Sequence, residues 1–311
     1  MARAATLIEN RLPAARQLIQ LLFANTGRAL TIGITGAPGV GKSTLVSQLV
    51  SAWRLASRKV GVLAVDPSSP YTRGAILGDR VRMQQHHQDP GVFIRSVATR
   101  GRLGGIAEST IELDLLLDAA GFEVILIETV GVGQDEIDVS QMADLTLLVL
   151  APGFGDDVQA IKAGILEVAD IFVINKADQP GAERLEQDLR AMQSLATPAA
   201  GTEQRQSPIC RVAATEGTGD ANLVALIEET HRGVSPVRTR RAAWESRLKE
   251  LVAARVIDLL GPSAIVERAE KVAAAQLDPF LAADELLDLL MQNETVRGRP
   301  SHHDAPSDRA E

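Results

Sequence analysis

Eight consecutive residues, 36–43, combine the residue types that bind phosphate. They read Gly-Ala-Pro-Gly-Val-Gly-Lys-Ser and match the G-x-x-x-x-G-K-[ST] loop, in which backbone amides, a lysine and a hydroxyl surround a polyphosphate. An apolar run at 30–35 precedes the loop and a helix is predicted at 42–56, so backbone amides and a helix N-terminus can converge on an anion. The sequence therefore predicts a site for a nucleoside triphosphate.

The residue types of this loop predict separate contacts. Its glycines let the backbone wrap the phosphates without an obstructing Cβ. Lys42 is expected to reach the β and γ phosphates, the Ser43 hydroxyl to coordinate Mg²⁺, and Thr44 to assist at the α phosphate. The predicted nucleotide contacts are Gly36, Ala37, Pro38, Gly39, Val40, Gly41, Lys42, Ser43 and Thr44.

A second motif, Asn175-Lys176-Ala177-Asp178, follows the predicted strand 171–175. It lies at the carboxyl edge of the sheet, where ligands of such sheets bind. The Asp178 carboxylate can accept hydrogen bonds from the ring N–H and the exocyclic amine of guanine, whereas adenine offers neither donor there. Asn175 and Lys176 are expected to brace the loop and cover the base. The motif therefore favours GTP over ATP.

A four-residue match alone can occur by chance in a surface turn. Its position two strands after the acidic motif at Glu128 argues against chance. Backbone amides of Ala213, Ala214 and Thr215, which close the last predicted strand, are candidates to meet the guanine oxygen.

Three acids are candidates for the shell of the metal ion. Glu128 and Gly131 stand at the spacing of a loop that senses the γ phosphate: the acid could reach the metal's water shell and the glycine amide the phosphate. Asp66 ends a strand expected to lie beside the first one, where it could share the Mg²⁺ shell or orient the attacking water. Asp79 is the third candidate. Because Mg²⁺ keeps several waters, some of these acids must act through water.

The proposed catalytic set is Lys42, Asp66, Glu128 and Gly131, and the metal set is Ser43, Asp66, Asp79 and Glu128. Another interpretation of Glu128, an acid that caps the following helix, stays open. Val132 follows Gly131 where a water-positioning glutamine would stand in Ras-like proteins. Slow unaided hydrolysis is therefore expected, and a partner could complete the site.

Short apolar runs alternate with segments of helical period from Leu30 onward, which is typical of a parallel sheet with crossover helices. Several runs are apolar on both faces, as strands covered by two helical layers must be. The predicted fold is α/β, with a doubly wound, mostly parallel sheet. The predicted strands are 30–35, 59–66, 92–98, 123–129, 145–151, 171–175 and 209–214.

The predicted organisation has four parts: an N-terminal amphipathic helix in 1–29, a nucleotide-binding domain at 30–235, a helical arm at 236–292 and a disordered tail at 293–311. Apolar residues from Trp244 to Leu260 recur at helical spacing. This stripe could pack against the parent domain or pair with a second copy of the chain.

Composition limits the possible partners. The 311 residues carry a formal net charge of −8, which argues against a nucleic acid or an anionic membrane as the main partner. One cysteine, Cys210, excludes an internal disulfide. No apolar run approaches the roughly 18 residues of a membrane span, and we expect a cytoplasmic protein.

Several blocks resemble one known family. They read GITGAPGVGKSTL, VLAVDPSSPYTRGAILGDRVRM, FIRSVATRGRLGG, ETVGVGQDEIDVSQMAD, LAPGFGDDVQAIKAGILEVADIFVINKAD and DPFLAADELL. Together they are similar to the MeaB/ArgK family, GTPases that accompany adenosylcobalamin-dependent acyl-CoA mutases, chiefly methylmalonyl-CoA mutase. The DPSSP…LGDRVRM and ETVGVGQ blocks are the most specific, since ordinary GTPases lack them.

The resemblance implies a homodimer paired through the C-terminal arm. It also implies that GTP binding and hydrolysis gate cobalamin delivery to the mutase, which in return accelerates hydrolysis. By motif position, 66–80 corresponds to a first switch, 128–140 to a second, and 151–162 to a third mobile loop. Family members usually have a longer N-terminal extension, so its contacts are left open here.

Two other functions compete with this one. The family was once described as a kinase of arginine and ornithine transport, but the Asn175–Asp178 motif argues against ATP. A nickel-inserting GTPase needs a metal-gathering cluster, for which one cysteine and the pair His86-His87 are poor material. We expect both histidines on an exposed helix face.

Overall fold

The computed structural model describes residues 1–10, 12–66, 83–98, 108–129, 131, 139–140, 142–153, 169–195, 206–233 and 236–297. Its strands are β1 (Leu30–Thr35), β2 (Val60–Asp66), β3 (Val92–Ala98), β4 (Val124–Thr129), β5 (Leu145–Leu150), β6 (Ile171–Ile174) and β7 (Ile209–Arg211). They form one sheet in the order β3-β2-β4-β1-β5-β6-β7, and all neighbours are parallel. The predicted α/β fold with a doubly wound sheet is confirmed.

The described helices are α1 (Ala2–Glu9), α2 (Pro13–Leu22), α3 (Lys42–Leu55), α4 (Glu108–Ala119), α5 (Ala182–Leu195), α6 (Asp220–Gly233), α7 (Pro236–Ala273) and α8 (Pro279–Arg297). Two short 3₁₀ turns, Phe23–Asn25 and Gln84–His86, accompany them. Among the described helices, none is long and apolar enough to span a bilayer.

The sheet separates two apolar layers, because successive strand residues point to opposite faces. On one face, Val62 and Leu126 join Leu45 and Leu49 of α3 in one buried cluster. On the other face, Leu63 and Ile125 belong to a second cluster with residues of α4. The double-sided burial of β2 and β4 explains why their sequences read as unbroken apolar runs.

The N-terminal region contains two helices where a single amphipathic helix was expected. Pro13 is the first residue of α2, and a proline at this position lacks the N–H that would continue a preceding helix. Ala5 and Ile8 of α1 are fully buried. Glu9 forms an ion pair with Arg95 of β3, and this hydrogen bond raises the pKa of Arg95 further above its ordinary value. The first helices therefore pack onto the sheet domain.

The chain divides into two compact units, residues 1–242 and 243–311. In the second unit, α7 is interrupted at Gly261, whose φ of +73° is not helical. Pro262 then begins a new helical segment, as proline commonly does. Arg268 and Glu285 form an ion pair between α7 and α8. Helix α8 continues to Arg297, beyond the expected start of a disordered tail at 293; residues 298–311 lie outside the described part.

Candidate functional site

The phosphate loop lies where β1 ends and α3 begins. Gly36 has φ +138°, and a Cβ at this position would lie 2.1 Å from the carbonyl oxygen of Val149. Only glycine fits so close to β5. Gly41 has φ +95° and is the N-cap of α3, so the helix starts at Lys42. The helix N-terminus therefore opens onto the loop, as in other phosphate sites.

Lys42 holds the first turn of the loop. Its side chain is buried, and its Nζ donates to the carbonyl oxygens of Gly36 at 2.6 Å and Ala37 at 3.0 Å. In a trans peptide, a carbonyl engaged on one side leaves the following amide directed to the other. The ammonium group therefore lies within the loop, and its flexible stem allows it to turn towards a phosphate oxygen.

Ser43 and Glu128 meet below the loop. The Ser43 hydroxyl donates to Glu128 Oε1 at 2.6 Å, and both side chains are buried. Glu128 is brought there by β4, where it is paired in register with Ile34 of β1. A hydroxyl and a carboxylate are hard oxygen donors of the kind that Mg²⁺ accepts, directly or through water. The donor set therefore fits a magnesium ion at this position.

Gly131 lies against the phosphate loop. A Cβ built on it would be 1.8 Å from the Gly36 carbonyl oxygen and 3.0 Å from Lys42 Nζ, and its φ is +86°. The position is therefore restricted to glycine by space and by backbone conformation. Gly131, a described residue just after β4, therefore lies beside the phosphate loop.

The other two candidate metal ligands are Asp66 and Asp79, and the structure describes only the backbone of Asp66. Asp66 is the last residue of β2 and pairs in register with Ala98 of β3. The expectation that β2 lies beside β1 is wrong, because β4 lies between them. Glu128 is thus one strand nearer to the phosphate loop than Asp66. The side chain of Asp66 and the whole of Asp79 lie outside the described residues.

Asn175 connects three parts of the site. Its Nδ2 donates to the carbonyl oxygen of Val40 at 2.9 Å, and its Oδ1 accepts from the amide of Ala214 at 3.2 Å. Its own amide donates to Leu150 of β5. The side chain is 3% exposed, so these hydrogen bonds are protected from water. Asn175 therefore fixes the Asn175–Asp178 loop to the phosphate loop and to the segment after β7.

Lys176 and Asp178 complete this motif. Lys176 has φ +55°, a conformation that few side chains adopt, and its Nζ donates to the Gly39 carbonyl oxygen at 2.9 Å. Asp178 is exposed. Its carboxylate, four residues after the end of β6, is therefore accessible to a ligand.

The segment after β7 forms a closed turn. The Ala213 amide donates to Thr218 at 2.9 Å, and the Thr218 amide donates back at 3.3 Å. Ala213 and Ala214 are buried, whereas Thr215 is exposed. Asp220 begins α6 directly behind this turn, and burial raises the pKa of its carboxyl. Burial, followed by the charge of Asp220, raises the pKa of Cys210.

The structure brings most of the predicted site together. The phosphate loop, Glu128 and Gly131 meet, and the hydrogen bonds of Asn175 and Lys176 join the base motif to the same loop. Thr44 is exposed at the first turn of α3. Sequence reasoning missed His86, which was expected on an exposed face and is only 8% exposed. The dipeptide His86-His87 in a polar stretch carries no signal that distinguishes the buried ring from the exposed one.

Comparison with known proteins agrees with this geometry. The chain is 44% identical over 296 residues to a putative GTPase of Pyrococcus abyssi, covering 92% of this chain and 91% of the relative. It is 38% identical over 193 residues to the mitochondrial methylmalonic aciduria type A homolog of Caenorhabditis elegans, covering 57% and 48%. A crystal structure of a LAO/AO transport system kinase superposes with a TM-score of 0.67 at 26% identity, covering 93% and 92%.

A family profile gives the assignment. The profile described as methylmalonyl-CoA mutase-associated GTPase MeaB matches residues 1–265, which contain the phosphate loop, Glu128 and the base motif. The relatives are named GTPases, and the fold is that of a P-loop GTPase. The chain belongs to the MeaB family of methylmalonyl-CoA mutase-associated GTPases.

Proposed function

We propose that this GTPase uses GTP binding and hydrolysis to control cofactor loading of an adenosylcobalamin-dependent acyl-CoA mutase and to protect that enzyme. The contact between Gly131, Gly36 and Lys42 is the observation that carries the proposal. It brings Gly131 against the phosphate loop, so a bound γ phosphate can change the position of Gly131. The mutase as client is supported by the family description and by the name of the nematode relative.

The geometry of the loop supports the proposed phosphate roles. Lys42 leaves its two carbonyl partners to contact the β and γ phosphates, and the Gly131 amide meets the γ phosphate. Ser43 and Glu128 hold Mg²⁺ directly or through water, with Asp66 and Asp79 as further candidates. A Mg²⁺ ion held by these residues would offset the charge that develops during phosphoryl transfer.

The proposed base contacts lie on the other side of the loop. Asp178 accepts two hydrogen bonds from guanine, and Lys176 covers the ring. Asn175 holds the base motif against the phosphate loop and the segment after β7. The guanine oxygen is met by an amide of the turn at Ala213, Ala214 and Thr215. Asn175 has this effect without touching the base, because its contacts are to Val40 and Ala214.

We further propose a homodimer formed through α7 and α8. Large apolar side chains of the second unit are exposed, among them Leu248 at 56%, Val252 at 61% and Phe280 at 80%. An apolar surface of this kind commonly marks an interaction site. Of the two possibilities given above for the apolar stripe of 236–292, this is the one in which it pairs with a second copy of the chain.

The experiment measures GTP turnover by the purified full chain alone and with each of several cobalamin-dependent acyl-CoA mutases in their cofactor-free and loaded forms. We expect at least one mutase to accelerate hydrolysis, and Lys42→Ala to remove the acceleration. If no mutase changes turnover or binds in the presence of a nonhydrolysable GTP analogue, the proposed client is wrong.

A kinase function is the competing outcome, since a solved relative is titled a transport system kinase. Labelled ATP is therefore offered together with a periplasmic amino-acid-binding protein. Phosphotransfer that persists in excess GTP would favour the kinase. No transfer, or transfer abolished by GTP, agrees with the guanine contacts proposed for Asp178.

A further inference from the structure

A buried histidine lies close to the phosphate-binding helix, and none of the roles above uses it. His86 belongs to the 3₁₀ turn Gln84–His86. Its Nε2 is 3.0 Å from the Ser47 hydroxyl oxygen and 3.1 Å from the Ser47 carbonyl oxygen. Ser47 itself is 6% exposed. A buried polar group without a partner costs about 1–3 kcal/mol, so the imidazole and Ser47 stabilise each other's burial.

Ser47 lies one helical turn after Ser43 on the same face of α3, because residues four apart on a helix are neighbours. In an α-helix the amide of Ser47 donates to the carbonyl of Ser43. The Ser43 hydroxyl donates to Glu128 at 2.6 Å. Three hydrogen bonds, linked by the covalent bonds of Ser47 and Ser43, therefore connect His86 to the oxygen pair proposed to hold Mg²⁺.

The segment that carries His86 is attached to α3 at a second point. Arg54 donates to both carboxylate oxygens of Asp89, at 2.8 Å and 3.0 Å. Gln85 also donates to the Ser47 hydroxyl oxygen at 2.7 Å. Met83 is fully buried in the same apolar cluster as the residues of α3. Residues 83–91 therefore hold α3 near its phosphate end and again two turns later.

We propose that His86 is a positioning residue that fixes the start of α3, and with it the Ser43 hydroxyl, at the place where the Mg²⁺–nucleotide complex needs it. The inference rests on the proposed roles of Ser43 and Glu128. Groups that orient a metal ligand without touching the metal commonly change metal affinity by about 10–100-fold when they are removed. His86 acts at the lower end of this range because one helical turn separates it from the ligand.

The test compares His86→Ala, His86→Gln and His87→Ala in the full chain. In glutamine, the amide nitrogen is four bonds from Cα, the same number as Nε2 of histidine, so this variant can restore the contact to Ser47. His87 is the exposed neighbour and gives the matched control. Binding of fluorescent GDP is measured in EDTA and over a Mg²⁺ titration, and thermal unfolding is recorded for each variant.

We expect His86→Ala to raise the Mg²⁺ concentration for half-maximal tightening of GDP binding by about 10-fold, with affinity in EDTA close to wild type. His86→Gln should recover most of this loss, and His87→Ala should show none. Ser47→Ala should reproduce the defect, and the double variant should add little, because both changes remove the same contact. Ser47→Ala also provides the test if His86→Ala does not fold.

Two outcomes overturn the proposal. Equal weakening of GDP binding in EDTA and in Mg²⁺ assigns His86 a general structural role. An unchanged Mg²⁺ requirement in His86→Ala and Ser47→Ala excludes the coupling. Ser43→Ala separates this failure from that of the proposed site: if it leaves the Mg²⁺ requirement unchanged, the metal assignment itself is wrong. If only Ser43→Ala raises the requirement, the metal assignment stands and the positioning role does not.

Discussion

The phosphate side and the base side of the site differ in how their functional groups are held. On the phosphate side, Lys42 and Ser43 are engaged with protein oxygens that the proposed roles require them to exchange for phosphate and metal. On the base side, Asn175 makes contacts that its proposed role retains, and Asp178 is exposed. The comparison indicates that the proposed base site is already assembled around Asn175, whereas the proposed phosphate contacts require Lys42 and Ser43 to exchange hydrogen bonds.

The largest expected effect comes from Lys42→Ala, on the side that rearranges. Loss of the ammonium should reduce kcat for GTP hydrolysis by about 10²–10³-fold, the scale for removing one charge-stabilising donor from an active site. The fold should remain, because the Lys42 donations to Gly36 and Ala37 lie within the loop itself. Single-turnover hydrolysis and urea unfolding measure the two effects. Full activity in this variant would refute the phosphate site.

Asn175→Ala should affect both sides, because Asn175 joins them. The change removes hydrogen bonds to Val40 and Ala214. At about 0.5–1.5 kcal/mol for each bond, the free energy of unfolding should fall by about 2 kcal/mol, and GTP and GDP affinity should fall together. Urea unfolding and equilibrium nucleotide binding measure these losses.

The half-buried Lys176 provides the control for that experiment. Lys176→Ala removes one donation to the Gly39 carbonyl oxygen and should change stability much less than Asn175→Ala. If Asn175→Ala and Lys176→Ala lower the free energy of unfolding equally, Asn175 is not the residue that holds the base side in place.

Both sides of the site contain parts that are predictable from the sequence. The phosphate loop and the base motif have fixed spacing because their backbone surrounds a ligand, so Lys42, Ser43 and Asn175 can be recognised in one dimension. Strand bounds were predicted within one residue for β1 to β6, since apolar runs mark strands buried on both faces. Only β7 is markedly shorter, Ile209–Arg211, because the chain turns back through the Ala213–Thr218 pairing.

Strand order and single side-chain burial were less predictable. Whether Asp66 or Glu128 lies nearer to Ser43 depends on β4 lying between β1 and β2, which no local pattern specifies. His86 and His87 are identical in type and adjacent in sequence, yet only His86 is buried. The difference arises from Ser47, a contact 39 residues away along the chain.

Asp178→Asn tests the base side with a smaller change. An amide in place of the carboxylate loses one acceptor for the guanine donors, which should weaken GTP binding by about 1–3 kcal/mol. Xanthosine triphosphate, which carries an oxygen in place of the exocyclic amine, should gain relative to GTP. Competition binding measures the ratio. An unchanged ratio would contradict the base assignment, and unchanged stability is expected because Asp178 is exposed.

The smallest expected effect is at Asp220, behind the turn that closes the base side. Burial raises the pKa of this carboxyl above its ordinary value of 3.8, so burial outweighs the favourable field at the start of α6. The folded state then binds the proton more tightly than the unfolded state. Asp220 therefore contributes stability below its unfolded pKa, and this contribution is lost as the pH rises through the raised folded pKa.

Asp220→Asn should remove this dependence. Relative to wild type, the variant should gain stability at neutral pH by less than about 1 kcal/mol, and the gain should shrink as the pH falls towards 4. Urea unfolding at several pH values measures the difference, with Asp188→Asn on the exposed face of α5 as the matched control. A loss of stability at pH 7 would mean that the charged carboxylate supports the turn, and that the base side depends on an ionised group behind it.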